Sequence, residues 1–218
     1  MSLFPIFLKL TGRPCIVIGA GHLAESKIAS LHAADARITV IAPHATLAIR
    51  EQAITGELTL HLRPYQTGDL KDAFLVVAAT NDPEVNRAVF SEATSTGVLC
   101  NAVDDPPFCD FYFPSVVRRG DLQIAISTAG NSPALAQQLR KEINEQLPLD
   151  LGDWLAELGN LRREVVAAEP LNEERRLFLH QLARREVCAY DQCPSRQLAR
   201  AHALTNPKPL TTELGTDH

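Results

Sequence analysis

The chain has 218 residues, 45% of them hydrophobic, and a formal net charge of -5 at pH 7. That length accommodates one domain of about 100 to 150 residues and a smaller one. The sequence has no long basic run and no apolar run near the roughly 18 residues that span a bilayer, so it favours neither a nucleic acid nor a membrane as partner.

The N-terminus and the cysteines give two expectations about the cellular environment. The opening residues MSLFPIFLKLTGR lack the apolar core and cleavage site of a secretory signal, so we expect a cytoplasmic protein. The cysteines are odd in number and scattered, without a C-x-x-C pair or a histidine at ligand spacing, so we expect reduced, mostly buried thiols rather than disulfides or a zinc site. They are Cys15, Cys100, Cys109, Cys188 and Cys193.

A glycine-rich turn follows the first predicted strand. The apolar run Pro14 to Gly19 is typical of a parallel strand buried on both faces, and a helical pattern, ESKIASLHAA, follows it. Residues 19–24 between them match the Gly-x-Gly-x-x-Ala fingerprint of dinucleotide-binding domains. In that fingerprint Gly19 permits the tight turn, Gly21 lets the backbone approach a pyrophosphate, and Ala24 lets the helix pack on the strand.

The end of the second predicted strand, Arg37 to Ala42, lacks the acidic residue that often contacts the ribose of NAD. Pro43 and His44 follow it, with no adjacent arginine for a 2'-phosphate, so this feature leaves the choice between NAD and NADP open. We expect the backbone around Pro43 and the His44 side chain to contact adenosine. A solvent-exposed loop histidine is the alternative for His44.

Three further strands are predicted at 58–62, 73–79 and 98–103, with a helix from Pro83 to Thr96 that Asp82 caps. Since strands alternate with helices, we predict an α/β fold with a doubly wound parallel sheet. Thr80-Asn81-Asp82 and Asp104-Asp105 follow strands at the carboxyl edge, where such sheets bind ligands. Asp110 adds a third nearby carboxylate, and such crowding costs stability, which indicates a functional site.

The pattern changes after residue 112. FYFPSVVRRGDLQIAIST predicts a hairpin that turns at Arg119-Gly120-Asp121, and Pro133 to about Gln146 is predicted as a helix with Ser132 as N-cap. From Pro148 onward the pattern is helical, in segments near 150–168, 171–188 and 194–203. We expect residues 205–218 to be a disordered tail.

Four motifs occur in order over residues 4–148: FPIFLKLTGRPCIVIGAG, AATNDPEVNRAV, NAVDDPPFCDFYFPSVVRRGDLQIAIST and AGNSPALAQQLRKEI. In these motifs the chain resembles the siroheme synthase family, in its precorrin-2 dehydrogenase/sirohydrochlorin ferrochelatase module. The resemblance implies a Rossmann-type NAD-binding domain at 1–112, an α+β dimerisation segment at 113–147, a small helical domain at 148–204, and a homodimer formed mainly through residues 113–147.

The resemblance also implies an activity. Family members oxidise precorrin-2 to sirohydrochlorin with NAD, and bifunctional members then insert ferrous iron to give siroheme. The family's catalytic aspartate matches Asp104, which could also contact Fe2+ transiently without a fixed metal site. Asp105 and Asp110 are expected to hold the loop through hydrogen bonds to backbone N–H groups. The family's NAD contacts match Gly19, Gly21, His22, Leu23, Pro43 and His44.

Four residues beyond the sheet are candidates for binding the substrate's carboxylates: Arg118, Arg119, Thr128 and Ser132. For the arginines the alternative is a solvated turn, and for Ser132 it is helix capping alone. The chain departs from the family at Ala20, which is harmless if its φ is negative, and at His22 and Ser26, where relatives have an acid and an arginine, whereas Lys27 is retained.

Two other functions remain open from the sequence. A dehydrogenase without chelatase activity would carry the same motifs. A regulatory domain that senses NAD without catalysis belongs to another class of protein; such domains usually keep an acid after the second strand and have no need of NAVDDPPFCDF.

Overall fold

The computed structural model describes residues 3–183 and divides the chain into two compact units, Met1–Phe113 and Pro114 onward. The sequence-based domain boundaries at 112, 147 and 204 stay predictions. Several predicted features lie outside the described residues: the end of the 171–188 helix, the 194–203 helix, the tail at 205–218, Cys188 and Cys193.

The first unit is built on a five-stranded sheet with the order β3-β2-β1-β4-β5, in which every pairing is parallel. The strands are β1 (Pro14–Ile18), β2 (Arg37–Ile41), β3 (Thr59–His61), β4 (Leu75–Ala78) and β5 (Leu99–Ala102), and the helices are α1 (His22–His32), α2 (Leu47–Ile54) and α3 (Pro83–Thr96). The predicted Rossmann-type doubly wound α/β fold is confirmed.

Helices cover both faces of this sheet, which explains the continuous apolar strands. Successive side chains of a strand point to opposite faces, so Val17 joins the cluster under α1 and α2, whereas Ile16 joins the cluster under α3. Ile28 of α1 and Val89 of α3 fill the two layers and are fully buried. The run PCIVI therefore has no solvent face, as expected of a central parallel strand.

Two features of the first unit did not emerge from the sequence. One is α2, which the Thr46 hydroxyl caps by accepting the Ile49 N–H at 3.4 Å. The other is the connection from β3 to β4, which contains turns instead of a helix. Glu92 of α3 anchors it by accepting hydrogen bonds from the Tyr65 hydroxyl and from the Gly68 and Leu70 N–H groups.

The second unit contains an antiparallel hairpin, as predicted. Its elements are β6 (Ser115–Arg119), β7 (Leu122–Ile126), α4 (Pro133–Gln146), α5 (Leu151–Ala168) and α6 (Glu173–Leu182). The predicted start of α4 is confirmed, since the Ser132 hydroxyl accepts the Leu135 N–H at 3.2 Å and Pro133 occupies the first helical turn.

Three cysteines fall in the described part of the chain, and all are free thiols. Burial raises the pKa of Cys15 to about 11 and that of Cys100 to about 12, so both stay protonated near neutral pH.

Within residues 3–183 the structure has no helix with the length and apolarity needed to cross a bilayer. The same residues contain no group of three His, Cys, Asp or Glu side chains placed to hold a metal ion.

Candidate functional site

The carboxyl edge of the sheet brings together most of the predicted site residues. The glycine turn at 19–21 follows β1, Pro43 and His44 follow β2, Thr80 follows β4, and Asp104 follows β5. Neighbouring parallel strands end at the same edge, and β1 lies between β2 and β4. In open α/β sheets this edge is where ligands bind.

Gly19 is required by the fold itself. Its φ is +105°, and a Cβ built on it would lie 2.4 Å from the Ala79 carbonyl oxygen. Its N–H donates to the Ile41 carbonyl at 2.9 Å, so the turn is fixed between the ends of β2 and β4. A side chain here would need a rare backbone conformation and would displace the backbone of the chain leaving β4.

Gly21 is different, because the fold does not require a glycine there. Its φ of -87° and ψ of -175° are extended values that any residue adopts, and a Cβ on it would meet nothing within 4 Å. The glycine instead leaves open space above the backbone where α1 begins. We expect an anion such as a pyrophosphate to be favoured here, since α1 has no side-chain cap and its first-turn N–H groups attract negative charge.

Ala20, His22 and Leu23 flank Gly21 in the chain. Ala20 is not among the positive-φ residues, so the condition for a harmless alanine at this position is met. His22 and Leu23 are exposed in the first turn of α1, and Leu23 keeps 52% of its surface accessible. His22 approaches Glu25, with Nδ1 and Oε2 3.4 Å apart.

The loop after β2 is tied to the glycine turn. The Thr46 N–H donates to the Ala20 carbonyl at 3.1 Å, and Pro43 and His44 are exposed just before it. The sequence did not predict that Glu25 of α1 lies near this loop. Hydrogen bonds from Thr46, and then from His22, hold the pKa of the Glu25 carboxyl below its usual value. The edge after β2 therefore has an acid nearby, although not at the strand's end.

Asp104 occupies a strained position at the opposite side of this edge. Its φ is +63°, in the left-handed region that aspartate tolerates better than most residues. The Val103 N–H donates to Ala78 at 2.9 Å and the Asp105 N–H to Ala102 at 3.2 Å, which fixes the turn on both sides. The Asp104 residue itself is exposed to solvent. Non-glycine residues in this region occur in turns, as at Asp35 and Asp72, and also at functional sites.

The other two acids of this segment differ in role. Asp110 holds the loop as predicted: its carboxylate accepts the Cys100 N–H at 2.9 Å, and its own N–H donates to the Cys100 carbonyl at 2.7 Å. Asp105 holds the loop with its backbone. Its carbonyl oxygen accepts the Phe108 N–H at 2.9 Å, and its side chain makes no capping hydrogen bond. The buried Asn101 side chain adds a 2.7 Å bond to the Phe111 carbonyl.

Asn86 is a buried polar residue that sequence reasoning missed. It lies on α3, and its side chain pairs with Thr80 through contacts of 2.7 Å to the hydroxyl and 3.1 Å to the carbonyl oxygen. These bonds fix the chain directly after β4, which faces the glycine turn at Gly19. An asparagine in a helical pattern gives no sequence signal of this role, because its partner lies on another element.

Comparison with known proteins agrees with this geometry. Residues 6–115 match the protein family described as "Putative NAD(P)-binding", and residues 119–146 match the one described as "Sirohaem biosynthesis protein central". The chain is 38% identical over 204 residues to Siroheme synthase 1 of Aeromonas hydrophila subsp. hydrophila, covering 94% of this chain and 44% of that protein. The chain belongs to the siroheme synthase family.

Other members of the siroheme synthase family agree. Siroheme synthase 1 of Cronobacter sakazakii is 43% identical over 164 residues, covering 74% of this chain and 34% of that protein. The chain thus spans less than half the length of these curated relatives. A solved structure titled "SirC, precorrin-2 dehydrogenase" aligns with a TM-score of 0.78 over 91% of this chain and 98% of that one. Its 24% identity makes this a likeness of fold.

The four predicted substrate residues of this siroheme synthase family chain all lie in the second unit. Arg118 is exposed on β6, whereas the Arg119 guanidinium donates to the Pro148 carbonyl at 3.2 Å and to Asn144 at 2.8 and 2.9 Å. Arg119 therefore stabilises the C-terminal end of α4, which is a structural role. Its predicted contact with substrate stays a prediction, as does that of Arg118.

Thr128 and Ser132 shape the loop that leads into α4. The Thr128 hydroxyl accepts the Ser132 N–H at 3.2 Å, and the Thr128 carbonyl accepts bonds from Asn131. Ala129 and Gly130 both have positive φ in this loop. Capping and turn formation account for the contacts that Thr128 and Ser132 make within the described residues, so their substrate contacts stay predictions.

The two glycines of the turn give a matched test. Gly21→Ala should change the free energy of unfolding by no more than about 1 kcal/mol, because the backbone and the space both accept a Cβ, whereas alanine is a weaker N-cap than glycine. It should raise the Kd for NAD at least about tenfold, because the Cβ enters the space left for the pyrophosphate.

Gly19→Ala should instead lower the free energy of unfolding by about 3 kcal/mol or more, because of the clash with Ala79 and the positive φ. Denaturant unfolding and calorimetric titration of NAD measure both quantities. Undiminished NAD affinity in Gly21→Ala would contradict this view of the turn.

Proposed function

We propose that this protein oxidises precorrin-2 to sirohydrochlorin with NAD. The observation that carries the proposal is the open space above Gly21, at the same sheet edge as the strained and exposed Asp104. The curated relatives are named siroheme synthase, which supports a role in making siroheme, and the fold matches that of a solved structure titled precorrin-2 dehydrogenase. NAD is the cofactor we assign, with Gly19, Gly21, His22, Leu23, Pro43 and His44 around it.

The reaction balances as precorrin-2 plus NAD+ giving sirohydrochlorin, NADH and a proton. NAD, when bound, supplies the hydride acceptor. The proton must leave toward a base, and a carboxylate at the cofactor edge is suited to that role. Asp104 accepts the proton and, because it is exposed, passes it to solvent.

We extend the proposal to insertion of ferrous iron into sirohydrochlorin, with iron as a substrate. Insertion releases two pyrrole N–H protons and needs a weak oxygen ligand, and the Asp104 carboxylate serves both needs. The alternative is a dehydrogenase without chelatase activity. An anaerobic assay with Fe2+ and sirohydrochlorin, but without NAD, separates the two. We expect the absorption spectrum of siroheme to appear. An unchanged sirohydrochlorin spectrum would mean that the protein is a dehydrogenase without chelatase activity.

We also propose a cytoplasmic homodimer formed through residues 113–147. The support is the surface of this segment: β6 and β7 form a hairpin of only two strands, and Leu135 of α4 keeps 51% of its surface exposed. Among the described residues the outer edge of each strand has no partner strand, and such open edges readily pair with another chain. A regulatory domain without catalysis finds less support, since it has no use for a strained aspartate at the cofactor edge.

Asp104→Asn tests the base directly. Asparagine also tolerates positive φ, so the turn should persist, whereas Asp104→Ala would add backbone strain. We expect kcat for NADH formation from precorrin-2 to fall about 100-fold or more, with the KM for NAD within about threefold of wild type. Absorbance of NADH and the spectrum of sirohydrochlorin measure turnover.

Asp105→Asn is the matched control, because it makes the same charge change one residue later and its side chain makes no cap. It should retain most activity. Wild-type activity in Asp104→Asn would move the base to another carboxylate. A wild-type protein that forms no NADH with active precorrin-2 would refute the proposed function itself.

A further inference from the structure

Lys27 is a charged residue of α1 that the proposed function does not use. It lies among the core-facing positions Ala24, Ile28 and Leu31, and its side chain is only partly exposed. Helical side chains lean toward the N-terminus of their helix. The N-terminus of α1 lies at the carboxyl edge of the sheet, so we expect the amino group of Lys27 to lie on that side of its backbone.

The ammonium of Lys27 rests against an aromatic ring. Its Nζ lies 4.4 Å from the centroid of the Phe113 ring, which packs on the sheet face covered by α1. A cation over a ring face is attracted to it, but the ring accepts no conventional hydrogen bond from the three N–H donors. Within residues 3–183 the structure gives Lys27 no salt bridge within 4.0 Å.

Lys27 interacts electrostatically with the carboxylate of Asp104. Burial lowers the pKa of Lys27, and the charge of Asp104 acts in the opposite direction. The two side chains nevertheless form no direct ion pair in the described part of the chain. A half-buried ammonium that lies near a candidate base and has no salt-bridge partner among the described residues is suited to bind an anion.

The substrate class supplies such an anion. Precorrin-2 carries many carboxylates, and one that approaches Asp104 would be repelled by it unless a cation stood close by. We propose that Lys27 binds a carboxylate of the tetrapyrrole substrate and thereby fixes the macrocycle beside Asp104. This inference rests on the proposed function, which it deepens by naming a substrate-binding residue in the first unit.

The choice of a substrate carboxylate over a cofactor phosphate follows from position. The space expected to take the pyrophosphate lies over Gly21 and the first-turn amides of α1. Lys27 lies more than a turn further along the helix, and its amino group rests on the Phe113 ring. Lys27 should therefore affect tetrapyrrole binding and leave NAD binding unchanged.

The test compares Lys27→Gln and Lys27→Arg with Lys71→Gln, a control that removes the same charge from an exposed lysine of the β3–β4 connection. Fluorescence titration measures the Kd for sirohydrochlorin, steady-state kinetics give KM and kcat for precorrin-2, and calorimetry gives the Kd for NAD. Thermal unfolding verifies that each variant is folded.

For Lys27→Gln we expect the Kd for sirohydrochlorin and the KM for precorrin-2 to rise about 10- to 100-fold, because a charge-assisted hydrogen bond is lost. The kcat should stay within about threefold and the Kd for NAD should not change. Lys27→Arg should recover most of the tetrapyrrole affinity, because it keeps the charge. Lys71→Gln should match wild type.

Three outcomes would overturn the inference: an unchanged Kd for sirohydrochlorin, a loss confined to kcat, which would mean that Lys27 acts through Asp104, or a parallel loss of NAD affinity, which would place a phosphate at Lys27. A wild-type protein that binds sirohydrochlorin but does not oxidise precorrin-2 would remove the proposed function, and the Kd comparison would still decide the role of Lys27.

Discussion

The close approach of Gly19 to the end of β4 is the contact on which the site depends. Only a residue without a Cβ fits there, since a methyl group would lie 2.4 Å from the Ala79 carbonyl. This contact sets the glycine turn against the chain leaving β4, and the Gly19 N–H bond to Ile41 sets it against β2. With the turn fixed from both sides, Gly21 is free to leave space for a ligand.

The chain after β5 makes the other half of the edge. Asn101 and Asp110 hold the segment that follows Asp104 against β5, through bonds of 2.7 and 2.9 Å. This pairing also occupies backbone groups of a strand that would otherwise be an open sheet edge. The acids of this segment therefore have different roles. Asp110 anchors the loop, whereas Asp104 is exposed in a turn with positive φ.

Local signals in the sequence predicted local features well. The fingerprint at Gly19 and Gly21, the cap at Asp82 and the cap at Ser132 each depend on residues within a few positions, and the structure has the turn and both caps. Four motifs in the same order then predicted the family to which the chain belongs.

What sequence reasoning missed depends on contacts between distant segments. Glu92 anchors a connection that lies more than twenty residues earlier in the chain. The bond from Asn86 to Thr80 spans only six residues, but it depends on the turn that leads from β4 into α3. Arg118 and Arg119 look alike in sequence, yet only Arg119 meets the carbonyls at the end of α4. Glu25 likewise is influenced by Thr46, twenty-one residues later in the chain, which lowers the pKa of its carboxyl.

A crystal structure of the protein with NAD would test the central claim, that Gly21 and Asp104 form one cofactor edge, most directly. The account predicts pyrophosphate oxygens within about 3 Å of the first-turn N–H groups of α1, above Gly21, with the nicotinamide extending toward Asp104. A pyrophosphate bound away from Gly21, or a nicotinamide on the far side of the sheet from Asp104, would contradict it.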